Sequence, residues 1–404
     1  MLIPLLRMKG KSVENFLYIG YTIEKSARNA GRGGQEIYVQ GSQNMETKII
    51  RISQTGQTGC KEENFTEAEE EALQEAGRII KAGGLVAFPT ETVYGLGGDA
   101  LNPDSSRKIY AAKGRPSDNP LIVHISRFDD IYGIAAKVPE AAVKLAEAFW
   151  PGPLTMILPK SDRVPSETTG GLDTVAVRFP SHPAARRLIR YGGGYVAAPS
   201  ANLSGRPSPT MAKYVIEDME GRVDAIVDGG EVGIGLESTI VDLTVEPPQI
   251  LRPGYVTAEE LAGLLGQVDV DDAVIACDCG RAPRAPGMKY RHYAPRGSLT
   301  IVEGEPKKVA AYVNRQAAAE RAEGQKTGVI ATKEMHGQYA ADVVKYIGSR
   351  GDEESIARNL FTVLREFDDE QVTRIYSESF PAEGLGQAIM NRLLKAAGHR
   401  VVRV

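Results

Sequence analysis

Two cations flank a single glycine in the run Lys113-Gly114-Arg115, and this arrangement could hold a polyphosphate. The run follows a predicted helix over residues 105–112, so both side chains lie on a tight turn at the end of that helix. Lysine and arginine on such a turn can each donate charge-assisted hydrogen bonds to phosphate oxygens. Two nearby cations more often form a solvated charged turn, so the phosphate interpretation needs support from other residues.

Polar and basic side chains also recur at the ends of successive predicted strands. The run Pro-Thr-Glu-Thr-Val-Tyr-Gly-Leu over 89–96 directly follows a buried strand predicted over 85–88. Loops at strand ends carry function disproportionately often, so a shared site is one interpretation. Local turn chemistry is the other, because Ser, Asn and Thr favour turns. The residues concerned are Thr92, Asn119, His124, Thr174, Arg178, Ser200, Asn202, Ser208, Ser238 and Arg252.

Arg178 and His124 each have a specific alternative to a functional role. Arg178 lies near the end of an alternating strand, where its guanidinium could bind a substrate carboxylate through two parallel hydrogen bonds. The alternative is an arginine on an edge strand. His124 ends a strand of aliphatic residues, where a lone histidine is more often a core or edge residue than a ligand. The pattern as a whole therefore favours a site more strongly than either residue alone.

The familiar nucleotide and hydrolase motifs are absent from the sequence. It contains no Gly-x-x-x-x-Gly-Lys-Ser/Thr phosphate loop, no Gly-x-Ser-x-Gly nucleophile elbow and no His-Glu-x-x-His zinc helix. The glycine clusters at 95–98 and 233–235 are weak indicators of a dinucleotide site. Any use of a nucleotide must therefore depend on the scattered basic and hydroxyl residues.

Composition is that of an ordinary globular protein. Of the 404 residues, 42% are hydrophobic and 25% are charged, and the net charge of −4 gives no global basic field that would attract nucleic acid. The cysteines Cys60, Cys277 and Cys279 do not form a disulfide framework, which favours a reducing compartment. Cys277 and Cys279 lack the second pair that a zinc site needs. No apolar run is long enough to predict a transmembrane helix.

The elements that must position the candidate residues fall into two predicted domains. Residues 67–262 contain short apolar strands with helices between some of them, a pattern typical of a mixed sheet with a concave face. Residues 298–404 alternate regularly between strand and helix, which predicts a small doubly wound domain. Residues 263–297 combine an acidic run with a stretch rich in Arg, Pro and Gly, which is the composition of a linker.

The first 44 residues differ from the rest of the chain. They lack sustained periodicity, and the strand-like run over 47–52 begins shortly after Met45. Their start is apolar and then basic, the reverse of a secretory signal. We interpret residues 1–44 as a disordered extension or the result of a misassigned start, with a genuine N-terminal extension as the alternative.

The combined motifs resemble those of a known family. Lys113-x-Arg115 with Ser200-x-Asn202, preceded by the run 89–96, is similar to the signature of the Sua5/YrdC/YwlC proteins, the threonylcarbamoyl-AMP synthases. The resemblance covers roughly residues 70–260. It continues through Arg-His-Tyr-Ala-Pro at 291–295, like the linker of the two-domain Sua5 branch, and through Gly-Leu-Gly-Gln-Ala-Ile-Met-Asn-Arg at 384–392. Residues before Met45 have no counterpart in the family.

The resemblance implies both a fold and a reaction. The first domain should be a YrdC-like α/β fold, a twisted mixed sheet with a positive concave cavity, and the second a Rossmann-like Sua5 domain. The amine of L-threonine would capture carbon dioxide from bicarbonate, and the resulting carbamate would attack the α-phosphorus of ATP and release pyrophosphate. No covalent intermediate on the protein is expected. Mg²⁺ would enter with ATP and be held by its phosphates, with no protein side chain as a metal ligand.

The resemblance also implies roles for individual residues. Lys113 and Arg115 would be the catalytic cations. L-threonine would contact Thr92, His124, Arg178, Ala198 and Ser238. ATP would contact Arg115, Asn119, Thr174, Ser200, Asn202, Ser208, Arg252 and Tyr293, the last folding back from the linker as a lid.

The implied setting is cytoplasmic tRNA processing. The product would pass to a downstream enzyme that transfers threonylcarbamoyl to adenosine beside the anticodon, and no membrane partner is expected. A regulatory module that binds double-stranded RNA is the alternative, because the concave basic face would also suit RNA. A carbamoyl-adenylate activity, as in a related hydrogenase-maturation domain, ranks third, since its acylphosphatase and zinc-finger segments are missing here.

Overall fold

The computed structural model describes residues 21–22, 40–41, 45–53, 65–274, 284–286 and 292–404. The chain divides into two compact units, Met1–Met45 and Glu46–Val404. In the first, β1 (Tyr21–Thr22) and β2 (Gln40–Gly41) pair antiparallel. The rest of the predicted N-terminal extension lies outside the described residues, as do all three cysteines, so the interpretations of both remain predictions.

An eleven-stranded mixed sheet forms the frame of the second unit. Its spatial order is β13-β12-β11-β7-β8-β6-β9-β5-β4-β10-β3, with parallel and antiparallel neighbours interspersed. This arrangement confirms the predicted mixed sheet. The strands are β3 (Lys48–Arg51), β4 (Val86–Phe88), β5 (Gly95–Asp99), β6 (Ile122–His124), β7 (Leu154–Pro159), β8 (Thr174–Arg178), β9 (Val196–Ala197), β10 (Ala225–Asp228), β11 (Thr239–Asp242), β12 (Gln249–Arg252) and β13 (Asp269–Val270).

Helices cover both faces of this sheet. Successive side chains of a strand point to opposite sides, so each strand packs against helices on both faces. Val86 and Phe88 pack in one apolar cluster with α1 and α5, whereas Leu85 and Ala87 pack in another with α2, α3 and α6. The predicted short apolar strands are therefore buried on two sides. The helices are α1 (Glu67–Lys81), α2 (Pro103–Lys113), α3 (Glu140–Phe149), α4 (Ser166–Thr169), α5 (Pro183–Tyr191), α6 (Ala212–Met219) and α7 (Ala258–Leu265).

The glycine run over 95–98 forms part of β5. A Cβ atom on Gly97 would lie 2.8 Å from both Phe88 Cε1 and Val196 Cγ1, which belong to the strands on either side. A larger residue would force these neighbouring side chains to move. The glycines thus allow close packing within the sheet, a reason for the run that the sequence pattern did not reveal.

The C-terminal part is a five-stranded parallel sheet with the order β16-β15-β17-β14-β18. The strands alternate with helices, which confirms the predicted doubly wound domain. Its elements are β14 (Ser298–Glu303), α8 (Pro306–Ala322), β15 (Thr327–Thr332), β16 (Val343–Gly348), α9 (Glu353–Asp369), β17 (Arg374–Glu378), α10 (Gly384–Ala396) and β18 (Val401–Arg403). Helix α7 runs past residue 263, so the predicted linker begins within a helix.

A buried polar contact joins the two sheets' domains. Arg365 on α9 is 1% exposed, and its Nη1 and Nη2 atoms donate to the carboxylate of Asp218 on α6 at 3.1 and 2.7 Å. Its Nε and Nη2 also donate to the carbonyl of Pro207 at 3.0 and 2.6 Å. Because a buried guanidinium needs such partners, separating the domains here would expose these charges or leave them buried without a partner.

Among the described helices, none has the length and apolar character needed to cross a membrane.

Helix α1 begins with a reciprocal cap that allows a stability test. Thr66 Oγ1 accepts a hydrogen bond from the amide of Glu69 at 3.3 Å, and the Glu69 carboxylate accepts one from the Thr66 amide at 2.8 Å. We predict that Thr66→Ala lowers the free energy of unfolding by about 1 kcal/mol, measured by denaturant titration. Thr66→Ser keeps the acceptor oxygen and should lose less. Equal losses in the two variants would contradict the capping role.

Candidate active site

The predicted cations meet in one cavity of about 680 Å³, measured to include its open mouth. Lys113, Arg115, Arg178 and Arg252 all line it, although they come from the end of α2, the turn after it, and strands β8 and β12. The sheet brings these strand and helix ends together. The predicted site residues that line the cavity are Lys113, Arg115, His124, Arg178, Ala198, Ser200, Asn202, Ser208, Arg252 and Tyr293.

Lys113 is buried and donates to two backbone carbonyls, those of Ser200 and Asn202. Burial, together with the nearby Arg115 guanidinium, lowers the pKa of Lys113 well below its usual range. An ammonium group has three donors, so one remains beyond these two carbonyls. Lys113 thereby fixes the loop that carries Ser200 while it faces the cavity.

Arg115 is held by the segment that follows it. Its Nη2 atom donates to Asn119 Oδ1 at 2.7 Å and to the carbonyl of Pro120 at 3.0 Å. Asn119 is thus placed one contact behind the cavity wall, since it does not itself line the cavity. Thr174 does not line it either. If the parallel pairing of Ile122 with Ala176 is continued by two residues, Thr174 lies beside Pro120, at the opposite end of β8 from Arg178.

Arg178 forms a buried ion pair at the other side of the cavity. Its Nη2 atom donates to Glu91 Oε1 at 2.7 Å and to Thr92 Oγ1 at 2.9 Å. Its Nε atom is buried and has no hydrogen-bond partner among the described residues. An unmet buried N–H costs about 1–3 kcal/mol, which an incoming acceptor could relieve. Thr92, which does not line the cavity, helps to hold the arginine in place.

His124 lies beside Arg178 in a buried, positively charged setting. Its Nδ1 atom is 3.1 Å from the carbonyl oxygen of Ile122, and its ring packs edge-on against Phe88. Burial, reinforced by the Arg178 charge, lowers the pKa of His124 to about 3. The imidazole is therefore neutral at ordinary pH and offers a hydrogen-bonding group without adding to the positive charge.

Arg252 and Ser238 form a pair at the ends of β12 and β11. The Nη2 atom of Arg252 donates to Ser238 Oγ at 3.0 Å, and its Nε atom donates to the Ser238 carbonyl at 3.0 Å. Ser238 Oγ is also 2.7 Å from Thr155 Oγ1. Burial lowers the pKa of Arg252 to about 10, so the guanidinium stays charged at neutral pH. Ser238 does not line the cavity and acts as a support for Arg252 in this arrangement.

The loop after β9 supplies the small polar groups. Ser200 Oγ donates to Asn202 Oδ1 at 2.5 Å, and the Asn202 amide donates to the carbonyls of Leu203 and Arg206 at 2.8 and 2.9 Å. The Ala198 amide donates to the Ile122 carbonyl. Of the two backbone groups of Ala198, the carbonyl is therefore the one left for a contact with substrate. The Ser-x-Asn spacing therefore shapes the loop as well as presenting hydroxyl groups.

Tyr293 brings the linker into the cavity wall. The residue is buried, and its backbone adopts the left-handed conformation with a φ of 63°. Its ring lies 5.1 Å from that of Phe361 on α9, measured between centroids. The neighbouring amide of Ala294 donates to the Gly205 carbonyl at 2.8 Å, and Arg252 reaches the Pro286 carbonyl at 3.4 Å. Described parts of the linker thus contact both domains.

Two carboxylates of the site escaped the sequence prediction. Glu91 pairs with Arg178, and Glu237 lines the cavity and accepts from Ser208 Oγ at 2.5 Å. Burial by itself would raise the pKa of Glu237, but the charges of Arg392 and Arg252 outweigh it and lower the pKa. Both glutamates stand next to predicted site residues in the sequence. A polyphosphate site is indicated by cations and hydroxyl groups, so the sequence pattern gave no signal for these carboxylates.

Known proteins are similar to this chain over more than four-fifths of its length. The chain is 49% identical over 336 residues to the threonylcarbamoyl-AMP synthase of Pyrococcus abyssi, covering 83% of this chain and 97% of that protein. It is 48% identical to the Bacillus subtilis protein of the same name, covering 82% of this chain and 94% of that protein. The chain belongs to the threonylcarbamoyl-AMP synthase family.

Two family models match consecutive parts of the chain. The model described as telomere recombination matches residues 78–254, and the model described as the C-terminal domain of threonylcarbamoyl-AMP synthase matches residues 256–398. The predicted two-domain Sua5 branch is thereby confirmed.

Solved structures of the family have the same fold. A crystal structure of Pyrococcus abyssi Sua5 complexed with L-threonine superposes with a TM-score of 0.82 at 47% identity, covering 89% of this chain and all of that one. A variant of the same protein with a histidine and the adjacent tyrosine changed to alanine gives a TM-score of 0.81 at 46% identity, covering 89% of this chain and 98% of that one. The chain thus shares the fold of both domains with that protein.

Buried neutral histidines should make stability depend on pH. Burial lowers the pKa of His124 to about 3 and that of His182 to about 4, whereas an exposed histidine titrates near 6.5. The unfolded chain therefore binds protons below pH 6.5 that the folded chain does not. Stability is full above that pH, and each histidine should remove about 1.4 kcal/mol per pH unit as pH falls from 6.5 toward its folded pKa.

A comparison of His182→Gln with the parent chain isolates one histidine. The free energy of unfolding, measured by denaturant titration at pH 7 and pH 5, should fall less steeply in the variant. Carboxylates contribute equally to both chains, so the difference between the two slopes reports His182. Parallel slopes would contradict a depressed pKa for this residue.

Proposed function

We propose that the chain is an L-threonylcarbamoyladenylate synthase that joins L-threonine, bicarbonate-derived carbon dioxide and ATP, and releases pyrophosphate. The observation that carries the proposal is the cavity in which Lys113, Arg115, Arg178 and Arg252 converge. Clustered buried cations are costly without anions, and a triphosphate beside an amino-acid carboxylate supplies them. The synthases of the family that match 83% and 82% of this chain support the same reaction.

The nucleotide would occupy the side of the cavity formed by Lys113, Arg115 and Arg252. Phosphoryl chemistry asks the protein mainly to position the triphosphate and to neutralise the charge that develops on the leaving pyrophosphate. A bound polyphosphate would raise the pKa of Lys113 again, because an opposite charge favours the ammonium form. Tyr293 would close over the nucleotide. Neutral hydrogen bonds would come from Asn119, Thr174, Ser200, Asn202 and Ser208.

Threonine would bind at the Arg178 side. The unmet Nε–H of Arg178 suits a carboxylate oxygen, and the Glu91 pair holds the guanidinium in position. The surrounding cations favour the neutral amine of threonine over its ammonium form. The neutral amine is the form that attacks carbon dioxide. His124, neutral in this setting, can hydrogen-bond the substrate without repelling it. Thr92, Ala198 and Ser238 complete the proposed set.

The carbamate oxygen would then attack the α-phosphorus of ATP in line with the leaving pyrophosphate. This step forms the mixed anhydride, breaks the bond between the α- and β-phosphates and needs no nucleophile from the protein. Mg²⁺ would neutralise charge on the triphosphate and would be carried by the phosphate oxygens. Among the described residues that line the cavity, the carboxylate is that of Glu237, and it is already engaged by Ser208 and Arg392, which fits a metal held by the substrate.

The product would serve a downstream enzyme that transfers threonylcarbamoyl to tRNA, and we place the reaction in the cytoplasm. The alternative of a double-stranded RNA-binding regulatory module is not favoured. That alternative depended on a concave basic face that could bind RNA. Two cations of this face are buried, and Lys113 is bonded to backbone carbonyls while Arg178 is paired with Glu91. Groups held in this way suit a small polyanion better than a duplex surface.

Substrate-dependent pyrophosphate release tests the proposed reaction. Release from the purified chain with ATP and Mg²⁺ should require both threonine and bicarbonate. Arg178→Ala should raise the threonine KM by about 10- to 100-fold, because a charged hydrogen bond is worth about 1.5–3 kcal/mol. Arg115→Ala should instead abolish most ATP turnover with the fold intact, as judged by circular dichroism.

Arg107→Ala is a matched control for Arg115→Ala. Arg107 lies on α2 near Lys113, but it is exposed and pairs with Asp104 and Glu167 away from the cavity. Its kinetic constants should equal those of the parent chain. Pyrophosphate release that ignores threonine would reject the synthase proposal, and an unchanged threonine KM in Arg178→Ala would reject the carboxylate assignment.

A further inference from the structure

Arg392 is a charged side chain of the C-terminal domain buried beside the cavity of the other domain. It lies on α10, is 0% exposed, and together with Arg365 is among the largest fully buried side chains of the described chain. A guanidinium is rarely buried so completely unless it is paired. Its partners therefore indicate what the residue does.

Apart from Asn391 on its own helix, whose Oδ1 accepts from Nη1 at 3.2 Å, the partners of Arg392 belong to two strand ends of the large sheet. Its Nε atom donates to Glu237 Oε2 at 3.0 Å, and its Nη2 atom lies 3.4 Å from the Glu237 carbonyl. Its Nη1 atom donates to the carbonyl of Pro253 at 2.5 Å. Glu237 comes just before β11, and Pro253 comes just after β12. One side chain thus ties the ends of two neighbouring strands to α10.

Each tied residue adjoins a proposed substrate contact. Glu237 uses its other oxygen, Oε1, to accept from Ser208, and it directly precedes Ser238 in the chain. Pro253 directly follows Arg252, which itself donates to Ser238. A single residue, Glu237 or Pro253, therefore lies between Arg392 and each of the cavity residues Ser208 and Arg252. The path from Arg392 reaches Ser208 and Arg252 on the nucleotide side first, and Ser238 of the proposed threonine set only beyond them or as the neighbour of Glu237.

The packing around these strand ends leaves little room for adjustment. A Cβ atom on Gly254 would lie 2.4 Å from the Thr239 amide nitrogen and 2.8 Å from the Glu237 carbonyl oxygen. The segment after β12 is thus pressed against the start of β11, and Arg392 holds the two at their shared end. The Arg392 guanidinium also lies 5.9 Å from the centre of the Tyr293 ring, on the linker.

We propose that Arg392 is a positioning residue of the synthase site: acting through the Glu237 carboxylate and the Pro253 carbonyl, it sets the geometry of Ser208 and Arg252 for the nucleotide. The C-terminal domain is on this view a structural part of the nucleotide site. The identity of the nucleotide rests on the proposed function, but the coupling between α10 and the cavity does not.

Lysine cannot replace arginine in this position. A guanidinium presents a planar fork of donors that reaches Glu237 and Pro253 together, whereas an ammonium is a single point on a flexible stem. Arg392→Lys keeps the charge that Glu237 needs and removes the fixed geometry. It therefore separates positioning from simple charge compensation.

The test compares ATP binding and turnover in Arg392→Lys, Glu237→Gln and the parent chain. The full-length proteins are titrated with ATP and Mg²⁺ by calorimetry, and pyrophosphate release is measured with each substrate varied. Each variant should lose about 10- to 100-fold in kcat/KM for ATP, the size of effect that small misplacement of a binding group produces. The threonine KM should change less, because Arg178 and Glu91 lie on other segments and pair with each other.

Arg358→Ala is the matched control for an ordinary contact between the domains. Arg358 lies on α9 and donates to the Gly233 carbonyl at 2.9 Å, but its side chain is exposed and does not line the cavity. Its kinetic constants should match those of the parent. If Arg358→Ala and Arg392→Lys showed the same ATP defect, general loosening of the interface would explain both and the proposal would fail.

The remaining outcomes are also decisive. Because Arg392 and Glu237 act as one unit, the double variant Arg392→Lys/Glu237→Gln should lose less than the sum of the two single losses. A folded Arg392→Lys chain with parental ATP affinity would overturn the proposal, and Glu237→Gln decides by the same measurement if Arg392→Lys does not fold. If the parent binds ATP but releases no threonine-dependent pyrophosphate, the proposed function fails while the binding comparison still tests Arg392.

Discussion

The site depends on holding several positive charges close together away from water. Lys113, Arg115, Arg178 and Arg252 would repel one another and would each lose solvation in the folded chain. Their neighbours offset part of this cost, through the carbonyls around Lys113, the Asn119 segment around Arg115 and the Glu91 carboxylate against Arg178. The cavity keeps a net positive charge after these contacts, and an anionic substrate would balance it.

The same contacts hold the cations of the cavity in place without a substrate. Lys113, Arg178 and Arg252 are each bonded to a segment different from their own, and they join the end of α2 to the loop after β9, β8 to the loop after β4, and β12 to the start of β11. Arg115 holds the turn that follows it. Preformed groups of this kind act on developing charge without reorganising at the moment of reaction. Arg365 and Arg392 extend this fastening to the C-terminal domain, whose buried arginines bond to Asp218 and Glu237. Fold and site are therefore stabilised by shared interactions.

The sequence predicted elements well where periodicity was strong and poorly where packing decided. The apolar runs over 47–52 and 85–88, predicted to be strands, form β3 (Lys48–Arg51) and β4 (Val86–Phe88). Strand β5 was missed because its glycines carry no apolar signal, and their reason, the approach of Phe88 and Val196, involves neighbouring strands. The substrate contacts of all the site residues stay predictions, and four of these residues do not line the cavity, namely Thr92, Asn119, Thr174 and Ser238.

The sequence by itself determined the residue types of the site, the two-domain order and the family, because short motifs and periodic apolar patterns are local properties of the chain. Tertiary structure decided which charges meet. Glu237 pairs with Arg392 across 155 positions and Arg178 with Glu91 across 87, and no local rule relates residues so far apart. Burial likewise set the neutral state of His124, because desolvation depends on what packs around a group and not on its place in the sequence.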